Sequence, residues 1–261
     1  MPTPIHQTTI DQLPVRVYTS NEAMGHAAAM EAAVVIQQAI AQRGAANAIL
    51  ATGNSQLTFL RSLRENRDIE WRHVRVFHMD EYVGLDPQHP ASFPLFLQRH
   101  FLNFVDVGAF FPVAAPAEDT EAACRAYESL LRHHPADLCA CGIGENGHLA
   151  FNDPPYADFD DPLWVKVVQL DERSRRQQVG EGHFAGLDEV PTHAVTLTIP
   201  ALLAAQTVLC IVPEARKAEA VQASLRGPIT EDCPASILRT QSHARLYLDP
   251  ESARLVNWVT G

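Results

Sequence analysis

Three polar segments of the sequence combine residue types that could carry out acid–base chemistry beside a bound anion. They are Ala51-Thr52-Gly53-Asn54-Ser55, His78-Met79-Asp80-Glu81-Tyr82 and Gly142-Ile143-Gly144-Glu145-Asn146-Gly147-His148. Each segment ends or follows an apolar run of strand length. In open parallel sheets, ligands bind beyond the carboxyl ends of the strands. The sequence therefore predicts that the three segments, which are far apart in the chain, meet at one cleft.

The histidine of the third segment is a candidate acid–base group. His148 lies in a glycine-rich loop, where an imidazole can titrate near neutral pH. Asp153 follows five residues later and could hold the imidazole in one tautomer, as an orienting carboxylate does for a catalytic base. A lone histidine is more often structural, but Asn146, Gly147 and the nearby carboxylates favour a functional one. The spacing does not resemble a zinc site.

The acidic pair Asp80 and Glu81 stands where a strand is predicted to end. Adjacent side chains at a strand exit point to different sides. One carboxylate could face the cleft as a general base while the other has a structural role. The alternative is a solvated acidic turn.

The first segment and one lysine could bind an anion. Gly53 lets the backbone approach a ligand, and the N–H groups at the following helix start, together with the Ser55 hydroxyl, would suit a phosphate. The segment lacks the lysine of a P-loop, which argues against a nucleoside triphosphate. Lys217 begins a predicted helix, where a cation opposes the helix dipole unless it faces an anion. The alternatives are an ordinary strand-to-helix turn and a solvated surface lysine.

The elements that must position these groups alternate along the chain. The predicted strands are VRVYT, NAILA, VRVFHM, ADLCACGIG, WVKVVQL, HAVTLTI, TVLCIVP and HARLYLD, separated by amphipathic stretches of helix length. Near-continuous apolar strands between helices predict a Rossmann-like α/β fold, with a mostly parallel sheet covered by helices on both faces. We expect a single domain over residues 1–261. The proline- and aspartate-rich residues 153–162 form a loop, and the charged, glycine-containing residues 170–191 are predicted to form a lid.

Composition excludes several classes of protein. The net charge is −11 in 261 residues, whereas nucleic-acid and anionic-membrane surfaces carry a basic excess. No apolar run reaches the roughly 18 residues of a membrane span, and the N-terminal residues do not resemble a signal peptide. Five cysteines, an odd number, argue against a disulfide framework. Cys139 and Cys141 should face the same side of one strand as core residues. These features predict a cytoplasmic protein.

Taken together, the motifs resemble the glucosamine-6-phosphate deaminase family, whose fold is shared with 6-phosphogluconolactonases and ribose-5-phosphate isomerases. Residues 77–85, FHMDEYVGL, are similar to the deaminase MDEYVGL segment, and residues 142–154, GIGENGHLAFNDP, to its GxGxxGHxAFNEP segment. Lactonases typically have small residues and then Leu-Phe-Pro after the histidine, so residues 148–152 favour a deaminase. The ATGNS segment matches the phosphate loop of the family loosely.

The resemblance implies roles by position. Asp80 would move a proton between carbons 1 and 2 of the sugar, and His148 would open the pyranose ring. Asp153 stands where the family has a glutamate that supports the histidine, and Asn146 where members have aspartate or asparagine. Lys217 and the loop of Thr52, Gly53, Asn54 and Ser55 would bind the phosphate. The implied reaction turns glucosamine 6-phosphate into fructose 6-phosphate and ammonia without a cofactor or metal.

The sequence also departs from the family. Gly180 falls near the position of an active-site arginine on the lid, so either Arg175, Arg176 or Arg239 holds the phosphate instead, or the substrate differs. Alternatives are lactone hydrolysis, in which His148 activates water and Asp80 is not needed, and a sugar-phosphate sensor domain. A sensor attached to a regulator would require a helix-turn-helix segment and a basic face, which the sequence lacks. The choice of amino sugar and a homo-oligomeric assembly stay open.

Overall fold

The computed structural model describes residues 2–154, 156–180 and 182–258. Within these ranges the strands are β1 (His6–Ile10), β2 (Leu13–Val17), β3 (Ala46–Leu50), β4 (Val74–His78), β5 (Asp80–Tyr82), β6 (Ala109–Phe111), β7 (Leu138–Cys141), β8 (Val165–Gln169), β9 (His193–Leu197), β10 (Thr207–Val212) and β11 (Ala244–Leu248). The α-helices there are α1 (Asn21–Arg43), α2 (Leu57–Arg64), α3 (Phe93–His100), α4 (Thr120–His133), α5 (Glu172–Gly180), α6 (Ile199–Leu203), α7 (Ala218–Arg226) and α8 (Pro250–Ala253).

The large sheet confirms the predicted α/β fold. In the described part of the chain its strand order is β1-β2-β11-β10-β7-β3-β4-β6. The pairs are parallel except for the antiparallel pair of β1 and β2. Successive residues of β4 pack on opposite faces: Val76 joins the core under α1 and α2, and Phe77 joins the core under α4 and α7. Cys139 and Cys141 are both buried in the core under α4 and α7, as predicted.

A second sheet corrects the sequence-based topology. The segments WVKVVQL and HAVTLTI form β8 and β9, which pair antiparallel with each other and with β5 rather than joining the parallel sheet. The chain leaves the large sheet after His78 and enters the small sheet at Asp80. The acidic pair thus lies within a strand instead of a turn. Apolar composition is the same for a buried strand of either sheet, so it could not reveal the pairing direction.

Some helix bounds agree with the sequence pattern and others do not. Ser20 caps α1 by accepting a hydrogen bond from the Ala23 N–H, as its position before the helix predicts. Residues 234–240 form a 3-10 helix. The sequence ESARLVNWV, residues 251–259, also predicts a closing helix, and α8 covers its first three residues, ending at Ala253. Residue 259 lies outside the described residues. In the described ranges no helix has both the length and the apolar character needed to cross a membrane.

Residues 170–191 contain more regular structure than the sequence predicted. The segment begins with α5 and continues in turns, and Phe184 is buried against the ring of Tyr82 with centroids 5.4 Å apart. The segment is therefore packed onto the small sheet in this structure. Glu181 of this segment, and Pro155 of the predicted loop at 153–162, lie outside the described residues.

We predict that Gly25→Ala destabilises the fold. Alanine normally stabilises a helix interior by about 1 kcal/mol relative to glycine. A Cβ at Gly25 of α1, however, would lie 2.4 Å from Thr58 Oγ1 and 2.8 Å from the Phe59 nitrogen. Overpacking typically costs about 1–3 kcal/mol, so the net free energy of unfolding in urea should fall.

Gly180→Ala is the matched control, because an added Cβ there meets no atom within 4 Å among the described residues. It should leave the urea midpoint unchanged or raise it slightly. A midpoint for Gly25→Ala above that of the unsubstituted protein would show that α1 and α2 can separate without cost.

Candidate active site

A cleft opens at the carboxyl ends of the parallel strands and encloses about 770 Å³ including its open mouth. It lies where β7 and β3 are neighbours, and the chain runs outward from there in both directions, as at the switch points where α/β folds bind ligands. Its wall combines the predicted segments: Thr52, Gly53, Ser55, Met79, Asp80, Gly142, Ile143, Gly144, His148 and Lys217. The structure brings the three segments and Lys217 together at this cleft.

Part of the cleft wall carries groups suited to an anion. Gly53 has φ of 94°, a conformation that favours glycine, and it leads through a 3-10 turn into α2. Behind this turn, buried Gln56 donates from Nε2 to the Ile211 carbonyl at 3.2 Å, which ties the loop to β10. Lys217 is 4% exposed and lines the same cleft. Asn54 lies outside the cleft wall, so the structure does not support a direct contact from this residue.

The histidine and its carboxylate form a buried pair. His148 Nδ1 lies 2.8 Å from Asp153 Oδ1, so an ionised Asp153 makes Nδ1 the donor and leaves Nε2 for other contacts. Asn146 donates to the same oxygen at 2.8 Å and accepts from the His148 N–H. The ring packs on Gly144, where a Cβ would lie 2.2 Å from the imidazole. Asn146 therefore orients the pair, and Gly147 contributes a turn with φ of 87° outside the cleft wall.

The neighbours of Asp153 favour its charged form. Burial opposes ionisation, but the charge of His148 and the hydrogen bonds from His148, Asn146 and Ser174 outweigh it, so the pKa of Asp153 lies below its ordinary value. Hydrogen bonds to the charged form of a carboxylate have this effect in general. The shorter aspartate thus reaches the imidazole where the related family has glutamate.

The two adjacent carboxylates occupy different environments. Asp80 faces the cleft, and burial, reinforced by the charge of Glu81, raises its pKa to about 8. Glu81 points away and accepts from the Ser92 hydroxyl at 2.8 Å and the Phe93 N–H at 3.2 Å. Burial raises the pKa of Glu81 to about 7, although these hydrogen bonds and that of the Tyr82 N–H oppose it. Glu81 is thus placed to support α3 rather than to contact a ligand.

The proposed lid arginines do not reach the cleft, which corrects the sequence-based expectation. Arg175 donates to the carbonyls of Leu187 and Val190 and so holds the two halves of the 170–191 segment together. Arg176 is exposed and pairs with Glu172 on the outer side of α5.

Arg239, the third candidate phosphate ligand, forms its hydrogen bonds at a different place in the fold. Arg239 donates to Asp11 and to the Gly227 carbonyl. None of these three guanidinium groups borders the cleft, so the structure does not support them as phosphate ligands.

Sequence reasoning missed several residues of the cleft. Gln177, Gln178 and His183 come from residues 170–191 and line the cleft. Ser174, on the same helix, contacts Asp153 and His148. A helical reading of residues 172–180 could have placed Ser174, Gln177 and Gln178 on one face, because they are three and four residues apart. The charged composition of the segment concealed that pattern.

Comparisons with known proteins agree with the geometry. The family described as glucosamine-6-phosphate isomerases/6-phosphogluconolactonase matches residues 19–248. A glucosamine-6-phosphate deaminase of Exiguobacterium sibiricum is 39% identical over 209 residues, which are 80% of this chain and 80% of that protein. The enzyme of the same name from Streptococcus pneumoniae is 31% identical over 240 residues, covering 92% and 99% of the two chains.

Solved structures place the fold in the same group. A structure described as a monomeric glucosamine-6-phosphate deaminase superposes with a TM-score of 0.84 at 30% identity, covering 92% of this chain and 99% of that one. A 6-phosphogluconolactonase from Trypanosoma brucei gives a TM-score of 0.74 at 18% identity, over 97% and 100% of the chains. The second likeness shows the shared fold.

We predict that Asp80→Asn becomes increasingly stabilising as the pH rises. A free aspartate has a pKa of about 3.9, and the folded value is about 8. Between these values the folded state binds a proton that the unfolded state does not, so the native protein loses stability with rising pH. Asparagine removes that dependence. The difference in the free energy of unfolding, variant minus native, should therefore grow from pH 5 to pH 8.

Asp153→Asn is the control of opposite sign. The pKa of Asp153 is lowered in the folded state, so its stabilising contribution exists at neutral pH and disappears in acid. This variant should be less stable than the native protein at pH 7, with a difference that shrinks below about pH 4. If the free energy of unfolding changed with pH in the same way in Asp80→Asn and in the native protein, Asp80 would not be buried in its protonated form.

Proposed function

Because the chain belongs to the glucosamine-6-phosphate isomerase/6-phosphogluconolactonase family, we propose that it is an enzyme that deaminates and isomerises an amino-sugar 6-phosphate. Glucosamine 6-phosphate is the first candidate, with fructose 6-phosphate and ammonia as products. The observation that carries the proposal is the convergence of Asp80, His148, Lys217 and the loop at residues 52–55 on one cleft. Relatives at 31% identity or more bear this activity as their name.

Asp80 is the proposed base for the proton transfer. It removes the proton from carbon 2 of the open sugar and returns it to carbon 1, which gives a ketose imine that water hydrolyses to release ammonia. The raised pKa of Asp80 makes its carboxylate a stronger base than an exposed aspartate. The cationic amino group of the substrate would favour the ionised form when it binds near the carboxylate. Substrate binding thereby prepares the base.

His148 is the proposed acid for ring opening. An Nδ1–H bond to Asp153 fixes the imidazole, and the ring borders the cleft. Nε2 can then give a proton to the ring oxygen of the bound sugar as the bond from carbon 1 to that oxygen breaks, and accept the proton that the carbon-1 hydroxyl releases, which leaves the carbonyl at carbon 1. Asp153 stabilises the imidazolium that this exchange requires, as orienting carboxylates do in catalytic triads.

The phosphate is the proposed anchor of the substrate. Lys217, Gly53 and Ser55 line the same cleft, and a cation and the N–H groups of a helix start both favour an anion. The phosphate does not react, so its binding energy can be used to orient carbons 1 and 2 against Asp80.

The five free thiols also fit a cytoplasmic location, where thiols stay reduced.

The alternative, hydrolysis of a 6-phosphogluconolactone, needs a histidine and an anchored phosphate but no second carboxylate at carbon 2. Asp80 on the cleft wall favours deamination over this reaction. The structures of lactonases are similar to this chain at 16–18% identity, a level that reflects the fold.

The proposal predicts ammonia release from glucosamine 6-phosphate. The assay uses glucosamine 6-phosphate, galactosamine 6-phosphate, glucosamine without phosphate and 6-phosphogluconolactone. We expect turnover of a phosphorylated amino sugar, with a loss of at least about 10²-fold in Asp80→Asn, the usual share of a general base. Asp86→Asn, an exposed aspartate beyond β5, should keep native rates. Turnover of the lactone alone, or of no compound, would overturn the proposal.

His148→Gln should slow the reaction of the cyclic sugar far more than that of an analogue locked in the open-chain form. Ring opening is the step assigned to His148, and an open-chain analogue bypasses it. Glutamine keeps much of the volume but cannot cycle a proton near neutral pH. The measurement is kcat/KM for both compounds with native protein and variant. Equal losses on the two compounds would assign His148 to a different step.

A further inference from the structure

Ser174 connects the 170–191 segment to the His148–Asp153 pair. It lies on α5 and is 2% exposed. Its hydroxyl donates to Asp153 Oδ1 and lies 3.2 Å from His148 Nδ1. The backbone N–H of Asp171, one residue before α5, reaches the other oxygen of the same carboxylate at 3.4 Å. Asp153 therefore accepts hydrogen bonds from the His148 loop on one side and from the start of α5 on the other.

This contact differs from the usual behaviour of a serine within a helix. Helical serines commonly bond to the carbonyl four residues earlier or to solvent. Ser224 of α7 does so: it is also 2% exposed, and its hydroxyl donates to the Ala220 carbonyl. Ser174 instead donates to the charged carboxylate of Asp153, in the loop that follows β7. A hydrogen bond to a buried carboxylate is among the stronger ones that a hydroxyl can make.

Other contacts of the segment involve different groups. Phe184 packs on Tyr82, and Arg175 bonds to carbonyls within the segment itself. Arg173 donates to the Glu145 carbonyl and Gln177 accepts from the Glu145 N–H at 3.3 Å, so both join α5 to the backbone of the His148 loop. Ser174 instead places its buried hydroxyl against Asp153 and His148 themselves.

We propose that Ser174 is a positioning residue that couples docking of α5 to the orientation of the His148 imidazole. With α5 docked, Asp153 Oδ1 is shared between the serine hydroxyl and the imidazole, which restricts rotation of both side chains. When α5 moves away, Asp153 loses the donors of Ser174 and Asp171, and His148 loses a neighbour of its Nδ1. The assignment of ring opening to His148 rests on the proposed function, but the coupling itself does not.

Coupling of this kind is reciprocal. If docked α5 stabilises one arrangement of the carboxylate and imidazole, then that arrangement stabilises docked α5 by the same free energy. A change at Ser174 must therefore alter signals from His148, and a change at Asp153 must loosen α5. A serine that merely fills space beside the loop would produce neither effect.

The experiment compares Ser174→Ala with the matched variant Ser224→Ala in the full-length protein labelled with ¹⁵N-histidine. In Ser174→Ala we expect the His148 Nδ1–H resonance to shift or broaden, and amide exchange over Glu172–Gly180 to speed up about tenfold, the effect of losing one hydrogen bond to a charged group. Ser224→Ala should show neither change. An unaltered resonance together with unaltered exchange in Ser174→Ala overturns the proposal.

Kinetics with glucosamine 6-phosphate supply the functional arm. Ser174→Ala should lower kcat about tenfold and leave KM within about twofold, because the serine acts on an acid–base group rather than on the substrate. If the native protein shows no turnover, the proposed function fails, while resonance and exchange still decide the coupling. Should Ser174→Ala not fold, Asp153→Asn replaces it: faster exchange over α5 supports the proposal, and unchanged exchange overturns it.

Discussion

Strand β9 hydrogen-bonds to both sides of the cleft. The Leu197 N–H donates to the Met79 carbonyl at 2.7 Å, next to Asp80. The Thr196 hydroxyl accepts from the Phe151 N–H at 3.0 Å, and Asn152 donates to the Leu197 carbonyl at 2.8 Å, both within the loop that carries His148. Two consecutive residues of one strand thereby fix the carboxylate and the imidazole relative to each other. The small antiparallel sheet is the constraint on which the geometry of the cleft depends.

The same packing gives the two aspartates of the cleft opposite electrostatic properties. Asp80 is buried beside Glu81, so desolvation and a like charge both raise its pKa. Asp153 is also buried, yet imidazole, amide and hydroxyl donors surround it and lower its pKa. A pair of carboxylates whose environments separate their pKa values is how active sites assign distinct acid–base tasks. Both residues are aspartates, so their different proposed roles, proton acceptor for Asp80 and orienting group for Asp153, come from the number of hydrogen-bond donors around each carboxylate.

The sequence allowed prediction of the parallel core and of the groups at its carboxyl edge, because apolar strand runs and glycine-rich turns are local signals. The contact between Asp153 and His148 could be predicted for the same reason, since the two residues are five positions apart in one loop. The small sheet could not, because pairing of β5 with β9 joins segments more than a hundred residues apart. The contacts of Arg175 and Arg176 could not be predicted from the sequence either. An arginine suits a phosphate, but Arg175 donates to backbone carbonyls and Arg176 pairs with Glu172 on the same helix.

The cleft is lined by two chemically different sets of side chains. Lys217 and Ser55 come from helix starts beyond the parallel strands, whereas α5 and the turn after it contribute Gln177, Gln178 and His183. Docking of the segment is supported by the Phe184 ring and the Ser174 hydroxyl, both buried. Apolar packing and a buried hydrogen bond thus hold α5 and the turn after it against the cleft. Under the coupling proposed above, the orientation of His148 depends on α5 through Asp153, which accepts hydrogen bonds from both.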